Sequence, residues 1–189
     1  KMVEAVAGGV LYTSDPNKPG NDDILISSVH GLGKCVVDGT ITPETYRVKR
    51  HSSVEILERN IPRQDKMFFC RLDGEVEEVA LSLESIGQPS LTDEQIIQLV
   101  ECAIRIENHY GSPQDIEWAI DKDGTLYILQ TRPLRTLEFE TQRPVPRHIE
   151  GYKLLINKGA IACKGIGFGK AYIVKTDEDL KNFPENGVL

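Results

Sequence analysis

The residues best suited to chemistry lie in two short runs on either side of an Asp-Gly pair. Residues 115–120 and 125–132 are rich in β-branched and aromatic side chains, which is typical of β-strands. The Asp-Gly pair at positions 123–124 favours a two-residue hairpin turn of type I′, because both central residues of that turn need positive φ. The sequence therefore predicts a hairpin in which Lys122 faces Thr125.

This register brings four polar side chains to one face of the hairpin. It places Glu117 opposite Gln130 and Asp115 opposite Arg132, and directly opposite residues share a face with their Cβ atoms about 5 Å apart. Two carboxylates, an amide and a guanidinium suit a magnesium ion with phosphates, since Mg²⁺ prefers oxygen ligands and the arginine fork matches phosphate oxygens. The pattern is equally typical of a solvated sheet face with an Asp–Arg cross-strand pair, and residue types alone leave both interpretations open.

The other face of the hairpin is predicted to be a core surface. Its side chains, apolar apart from one threonine, are Ile116, Trp118 and Ile120 on the first strand and Tyr127, Leu129 and Thr131 on the second. A shift of one residue would exchange the two faces of a strand and bury Gln130 and Arg132. The hydrophobic pattern therefore supports the predicted register.

Composition limits the class of protein. The chain has 189 residues, of which 40% are hydrophobic and 27% charged, an ordinary globular balance. Its formal net charge of -7 argues against nucleic-acid binding through general basicity, and no membrane-spanning apolar run or signal peptide is visible. The cysteines are too scattered for a metal site or a disulfide framework, which favours reduced thiols in a cytoplasmic protein. These cysteines are Cys35, Cys70, Cys102 and Cys163.

The elements that must position the hairpin are mostly strands. Extended segments are predicted at residues 2–14, 23–29 and 45–50, and a second hairpin is predicted from strands at 67–72 and 75–80. The charges of the last strand are interpreted as a solvated face.

One long helix is predicted over residues 93–110. Thr92 followed by Gln95 is a capping-box pattern, apolar residues recur at helical spacing, and turn residues follow the segment. His109 near the C-terminal end is interpreted as structural, because a histidine there is favoured by the helix dipole.

Gly31 and Gly33 follow the second predicted strand. A Gly-x-Gly pair after a strand can let the backbone approach a phosphate, which makes both glycines candidate nucleotide-binding residues. A tight strand-to-helix turn accounts for them equally well.

A new unit is predicted after a linker. Residues 141–152 are rich in proline and poor in apolar side chains. Beyond residue 153 the sequence predicts a glycine-punctuated strand at 165–174 and a capped helix start at 176–180. Too few residues follow for a complete core, so the chain is interpreted as cut from a longer protein.

Four motifs together resemble one family. They are GGVLYTSDP at residues 8–16, GLGKCVVDGTITP at 31–43, HYGSPQDIEWA at 109–119 and LQTRP at 129–133. In order and spacing they resemble the ATP-grasp nucleotide-binding domain of phosphoenolpyruvate synthase and pyruvate phosphate dikinase.

The resemblance implies an α+β fold in two parts. Residues 1–140 are expected to form the C-terminal lobe of the ATP-grasp domain, with an antiparallel-rich sheet and packed helices. Residues 153–189 resemble the start of the phosphohistidine swivelling domain, an incomplete β/α unit.

The resemblance also implies functions for the polar residues of the hairpin. Glu117 and Gln130 match residues that hold Mg²⁺ at the ATP phosphates, Arg132 matches a phosphate-binding arginine, and Asp115 matches a further active-site acid. In the family, a phosphoryl group of ATP passes to a histidine of the swivelling domain and then to pyruvate in a separate barrel. The implied partners are therefore ATP, that carrier histidine and pyruvate. The resemblance is also compatible with a parent enzyme that forms a homo-oligomer.

Other positions match or depart from the family pattern. Met2 and Val3 match the strand whose backbone meets adenine, whereas Lys34 stands where the family usually has glutamate. The N-terminal ATP-grasp lobe, the carrier-histidine motif and the pyruvate barrel have no counterpart in these 189 residues. The chain alone is therefore expected to be inactive and to bind ATP poorly.

Three functions stay open from the sequence. Pro133 after Arg132 resembles the synthase branch, since dikinases usually have asparagine there, and this favours water over inorganic phosphate as the second phosphoryl acceptor. A rifampicin phosphotransferase-like enzyme shares the ATP-grasp and swivelling parts. The third alternative is a module that binds nucleotide without catalysis.

Overall fold

The computed structural model describes residues 3–134 except 17, 19, 51–53, 72 and 73, together with residues 151, 153 and 167–188. The chain divides into two units, Lys1–Glu138 and Phe139–Leu189. All of the predicted linker except residue 151 lies outside the described residues, so the domain boundaries proposed from the sequence stay predictions.

The first unit consists mostly of strands, and one amphipathic segment forms its long helix. In chain order the elements are β1 (Ala5–Tyr12), β2 (Ile24–His30), α1 (Lys34–Val37), β3 (Glu44–Lys49), β4 (Glu55–Asn60), β5 (Lys66–Cys70), β6 (Val76–Ala80), α2 (Asp93–Tyr110), β7 (Gln114–Asp121) and β8 (Leu126–Pro133).

Six of these strands form one sheet in the order β4-β3-β2-β1-β7-β8, and every neighbouring pair is antiparallel. β5 and β6 form a separate antiparallel hairpin, as the sequence predicted. β4 was not predicted, because it lies at the edge of the sheet and is mostly exposed, so its residues do not alternate. The expected α+β class with an antiparallel-rich sheet is confirmed.

Helix α2 covers one face of this sheet. Its buried side chains are Ile96, Leu99, Val100 and Ala103. They pack on buried residues of four strands, β1, β2, β3 and β7, which include Leu11, Ile24, Ile26, Tyr46, Val48, Ile116, Trp118 and Ile120. The core surface predicted for β7 is therefore confirmed. Trp118 is fully buried, so its truncation to alanine is expected to cost about 3–5 kcal/mol of stability.

The ends of α2 follow the predicted signals. The Oγ1 atom of Thr92 accepts a hydrogen bond from the backbone N–H of Gln95 at 3.3 Å, and the Oε1 atom of Gln95 accepts one from the backbone N–H of Thr92 at 2.9 Å. This reciprocal capping box satisfies two of the free N–H groups at the helix start. The helix ends at Gly111, whose φ of 69° places it in the left-handed region.

The described part of the second unit contains three short elements. β9 (Lys170–Ala171) pairs in parallel with β10 (Gly187–Val188), and α3 (Asp177–Lys181) lies between the two strands in the chain. The strand predicted at 165–174 is therefore shorter than expected within its described residues. The predicted helix start is confirmed, because the backbone N–H of Asp179 donates to the Oγ1 atom of Thr176 at 3.2 Å.

Within the described residues, no helix combines the length and the apolar character needed to span a bilayer.

Candidate active site

The predicted register of the β7–β8 hairpin is confirmed where its polar residues lie. Asp115 pairs with Arg132, and Glu117 pairs with Gln130. Because directly opposite residues share a face, all four side chains project from the sheet face that α2 does not cover.

The predicted type I′ turn is wrong. Asp121 and Thr125 close a three-residue loop, with the N–H of Asp121 donating to the carbonyl of Thr125 at 3.1 Å. Of the loop residues only Gly124 has positive φ, 78°, as expected for a turn that ends in a left-handed residue. The Oδ1 atom of Asp121 accepts from the N–H groups of Asp123 and Thr125 at 3.0 and 2.9 Å. These side-chain bonds stabilise the longer loop, so Lys122 does not face Thr125.

A one-residue irregularity absorbs the extra loop residue. It lies between Glu117 and Trp118, and beyond it Trp118 pairs with Ile128 instead of Leu129. The core surface predicted for β8 is wrong: Tyr127 is 39% exposed and Leu129 54%. The reason is that β8 is the edge strand next to β7, and the side chains of α2 pack on β7 but cover little of β8.

Asp115 and Arg132 form a cross-strand ion pair. The Nε atom of Arg132 donates to the Oδ2 atom of Asp115 at 2.8 Å, and this hydrogen bond together with the carboxylate charge raises the pKa of the guanidinium. Asp115 is buried, whereas the Arg132 side chain is 60% exposed. The remaining N–H groups of Arg132 are therefore oriented and accessible, which is the arrangement that binds phosphate oxygens in a planar fork.

The second oxygen of Asp115 has no partner among the described residues. Its Oδ1 atom is buried and accepts no hydrogen bond from them. A buried acceptor left unsatisfied costs about 1–3 kcal/mol, and such groups in native structures call for an explanation such as a bound ligand or ion.

Glu117 and Gln130 supply the oxygen atoms suited to a cation. Both side chains have access to solvent, and no hydrogen bond holds either one within the part of the chain that the structure describes. Mg²⁺ is usually bound through one or two carboxylates, with waters and substrate phosphates completing its shell. One carboxylate and one amide oxygen fit that requirement. Among the described residues, no group of three or more histidine, cysteine or acidic side chains is placed to hold a metal ion.

The next strand of the sheet contributes a residue that sequence reasoning missed. Tyr12 pairs with Asp115 and Val10 pairs with Glu117 across β1 and β7. Alternation along β1 predicts that Tyr12 and Val10 share a face, but the pairing with a strand more than a hundred residues away cannot be obtained from local pattern.

The candidate glycines make close contacts within the chain. A Cβ on Gly31 would lie 2.1 Å from the carbonyl oxygen of Phe68, and one on Gly33 would lie 2.5 Å from the backbone nitrogen of Gly9. Gly31 also has a φ of 79°. Packing alone therefore accounts for both residues, and their contact with a nucleotide stays a prediction. Of the two residues predicted to meet adenine, Met2 lies outside the described residues and Val3 lies two residues before β1 begins at Ala5.

An open cleft of about 1050 Å³ lies at the start of β1. Its apolar wall includes Val6, Met67 and Phe69, and Glu4 and Lys122 line it as well. None of the four polar residues of the hairpin lines this cleft. Since Ala5 pairs with Asp121 and Tyr12 with Asp115, the cleft and the ion pair lie towards opposite ends of β1.

Comparison with known proteins identifies the relatives of this chain. Residues 1–151 match the family described as "Pyruvate phosphate dikinase, AMP/ATP-binding domain". The whole chain is 38% identical to a probable phosphoenolpyruvate synthase of Archaeoglobus fulgidus, covering 25% of that protein, and 34% identical to the phosphoenolpyruvate synthase of Pyrococcus furiosus, covering 24%. A rifampicin phosphotransferase of Streptomyces sviceus is 36% identical over 72% of the chain and 15% of its own length.

The chain thus spans about a quarter of the length of the phosphoenolpyruvate synthases that it matches. Its match to the family covers most of its residues, including the whole β7–β8 hairpin. The chain therefore belongs to the pyruvate phosphate dikinase AMP/ATP-binding domain family.

Proposed function

We propose that this chain holds the phosphates of Mg·ATP in an enzyme of the phosphoenolpyruvate synthase type. In this proposal, residues 1–140 are the C-terminal lobe of an ATP-grasp domain, 141–152 are a linker, and 153–189 begin the phosphohistidine swivelling domain. The match to phosphoenolpyruvate synthases, which covers the whole of this chain, supports the assignment of both parts to one enzyme.

One observation carries the proposal. A buried Asp115 orients an exposed Arg132, and Glu117 and Gln130 lie one pair further along the same face, in a chain that belongs to an ATP-binding family. Phosphoryl transfer requires positioning and charge neutralisation more than a covalent protein group, and these four residues supply both.

Arg132 acts on the phosphoryl group in this proposal. Its Nε–H is fixed on Asp115 at 2.8 Å, so its terminal N–H groups are already oriented when the nucleotide arrives. A donor that is oriented in advance stabilises negative charge in the transition state without reorganisation. Asp115 is the positioning residue of this pair.

Glu117 and Gln130 hold the cation. The two residues are directly opposite one another across β7 and β8, and the carboxylate would contribute the charge that the amide lacks. Magnesium, when bound, neutralises charge on the phosphate oxygens.

The start of β1 is the proposed adenine end of the nucleotide site. The cleft there has an apolar wall, as small-molecule sites usually have. Val6, which lines the cleft, lies four residues from Val10, the partner of Glu117, and four residues of strand span about 13 Å. An extended nucleoside triphosphate can bridge that separation.

In the reaction we propose, a phosphoryl group of ATP passes to a carrier histidine on another part of the enzyme and then to pyruvate. Water accepts the other phosphoryl group, and the products are phosphoenolpyruvate, AMP and phosphate. The 189-residue chain alone is expected to form no AMP in a pyruvate-dependent assay.

A second candidate is an antibiotic phosphotransferase that uses the same ATP site. The match to a rifampicin phosphotransferase supports it, but that match covers 72% of the chain, whereas the phosphoenolpyruvate synthases match all of it. Pyruvate-dependent and rifampicin-dependent consumption of ATP, measured in one preparation of the enzyme that carries this chain, separates the two.

The proposal is tested by substituting the two cation-holding residues in that enzyme. Glu117→Ala and Gln130→Ala are each expected to weaken Mg²⁺-dependent ATP binding at least tenfold in calorimetry, with a smaller change in the absence of Mg²⁺. Glu55→Ala removes an exposed carboxylate from the edge strand β4 and serves as the matched control. Normal Mg·ATP affinity and turnover in both site variants would contradict the proposal.

A further inference from the structure

Tyr12 lies beside the proposed phosphate site, although nothing in the local pattern indicated it. It pairs with Asp115 across β1 and β7, and Asp115 pairs in turn with Arg132 across β7 and β8. The three side chains therefore form a row on one face of the sheet, with neighbouring Cβ atoms about 5 Å apart.

The hydroxyl of Tyr12 is available as a hydrogen-bond donor. Within the described part of the chain no group bonds to it, and the Oδ1 atom of Asp115 next to it is also without a partner. A tyrosine side chain is longer than an aspartate by a whole ring. Because the Tyr12 hydroxyl makes no hydrogen bond to Asp115, it can extend beyond the carboxylate, over the site that Arg132 borders.

The surroundings of Tyr12, burial first among them, favour the protonated form of its hydroxyl. Burial raises its pKa above the ordinary value of 10.0, and the Asp115 carboxylate raises it further, while Arg132 acts in the opposite direction. A protonated phenol donates a hydrogen bond and carries no charge that would repel an anion.

We propose that Tyr12 is a further phosphate-contacting residue of the site, donating its hydroxyl to a phosphoryl oxygen of the nucleotide held by Arg132. This inference rests on the proposed function and extends it to β1. Arg132 supplies the positive charge, and Tyr12 supplies a neutral donor from the strand on the other side of Asp115. Together they would hold a phosphoryl group from two directions, which favours a single orientation for transfer.

The test is Tyr12→Phe in the enzyme that carries this chain. The change removes one oxygen and keeps the ring, so packing is preserved. We expect the affinity for Mg·ATP to fall about tenfold or more, since a hydrogen bond to a charged group is lost. The affinity for adenosine, which has no phosphate, is expected to stay unchanged, and this second measurement separates a lost phosphate contact from a distorted site.

Tyr127→Phe is the matched control. Tyr127 is also a tyrosine of this sheet, but its hydroxyl donates to the Oδ2 atom of Asp121 at 2.9 Å beside the hairpin loop. Its substitution is expected to leave the Mg·ATP affinity within twofold of the original.

The outcomes distinguish this inference from the proposal on which it depends. Unchanged Mg·ATP affinity in Tyr12→Phe overturns the inference alone, and so does an equal loss of ATP and adenosine binding. An unsubstituted enzyme that binds no Mg·ATP overturns the proposed function and the inference together.

Discussion

Two buried carboxylates lie on opposite faces of the same sheet, and their surroundings differ. Glu44 is 1% exposed and fully bonded: it accepts from the hydroxyl of Tyr46 at 2.7 Å, and from the backbone N–H and the hydroxyl of Ser90 at 3.0 Å. Asp115 is 8% exposed and half bonded, since Arg132 donates to one oxygen and no residue in the described part of the chain donates to the other.

The difference separates a structural acid from a candidate functional one. The bonds of Glu44 attach the segment before α2 to the sheet, and every partner lies within the chain. Asp115 has one acceptor that no described residue fills, and its partner Arg132 is exposed to solvent. Burial alone does not identify a functional carboxylate, whereas an incomplete set of partners on an open face indicates one.

The largest effect is expected from Arg132→Ala. It removes the proposed phosphate donor and leaves Asp115 without its counter-charge, so turnover in the enzyme should fall about 10²–10³-fold, the usual loss for one oriented donor. Steady-state kinetics measure it. Arg59→Ala is the control, because Arg59 on β4 forms an exposed ion pair with Asp93 on α2. Turnover within threefold of the original in Arg132→Ala would remove Arg132 from the site.

A loss of stability, and not of activity, is expected from Glu44→Gln. Its amide nitrogen would face the donors of Tyr46 and Ser90, and groups left unsatisfied in a buried network cost about 1–3 kcal/mol. Urea unfolding should show this loss, while the folded fraction keeps its ATP affinity. Glu58→Gln changes a carboxylate that is 72% exposed and should have little effect. Equal stability of the Glu44 and Glu58 variants would contradict the comparison.

A loss of activity, with little loss of stability, is expected from Asp115→Asn. Stability should change by less than about 1 kcal/mol, since the substitution removes a buried charge that is only half bonded. Turnover should fall about tenfold, because the neutral amide orients the Arg132 guanidinium less firmly. Unfolding and kinetics measured on one preparation test both parts. A large loss of stability with normal turnover would place Asp115 in the same class as Glu44.

The smallest expected effect is on the pH dependence of stability, and it comes from Tyr46, the partner of Glu44. Burial raises the pKa of Tyr46, and the hydrogen bond to Glu44 and the Glu44 charge raise it further. The folded state thus favours the protonated phenol. This contribution to stability is complete below the unfolded pKa near 10 and is lost as the pH rises above it. Tyr46→Phe should lower stability by about 1 kcal/mol at neutral pH and should show a shallower decline above pH 10. An identical alkaline decline would contradict this role.

The part of the site that could be predicted is the part that is local in sequence. Asp115, Glu117, Gln130 and Arg132 lie on two strands joined by a short loop, so alternation fixed their shared face. The loop itself was predicted one residue too short, because the Asp-Gly signal does not reveal the bonds made by the carboxylate of Asp121.

The features of the fold and the site that could not be predicted depend on which strands become neighbours. Glu44 meets Ser90 across 46 residues, and Tyr12 meets Asp115 only because β1 lies between β2 and β7. The exposure of Leu129 likewise follows from the edge position of β8. These facts are set by the topology of the whole sheet, which local patterns do not contain.

We propose that the open face of this sheet, and not the Glu44 network, holds the metal and the phosphates of ATP. Electron paramagnetic resonance of Mn²⁺, substituted for Mg²⁺ in the enzyme that carries this chain, tests it most directly. The signal of ATP-dependent bound Mn²⁺ should persist in Glu44→Gln and disappear in Glu117→Gln. The same signal in Glu117→Gln and in Gln130→Ala as in the unsubstituted enzyme would contradict the claim.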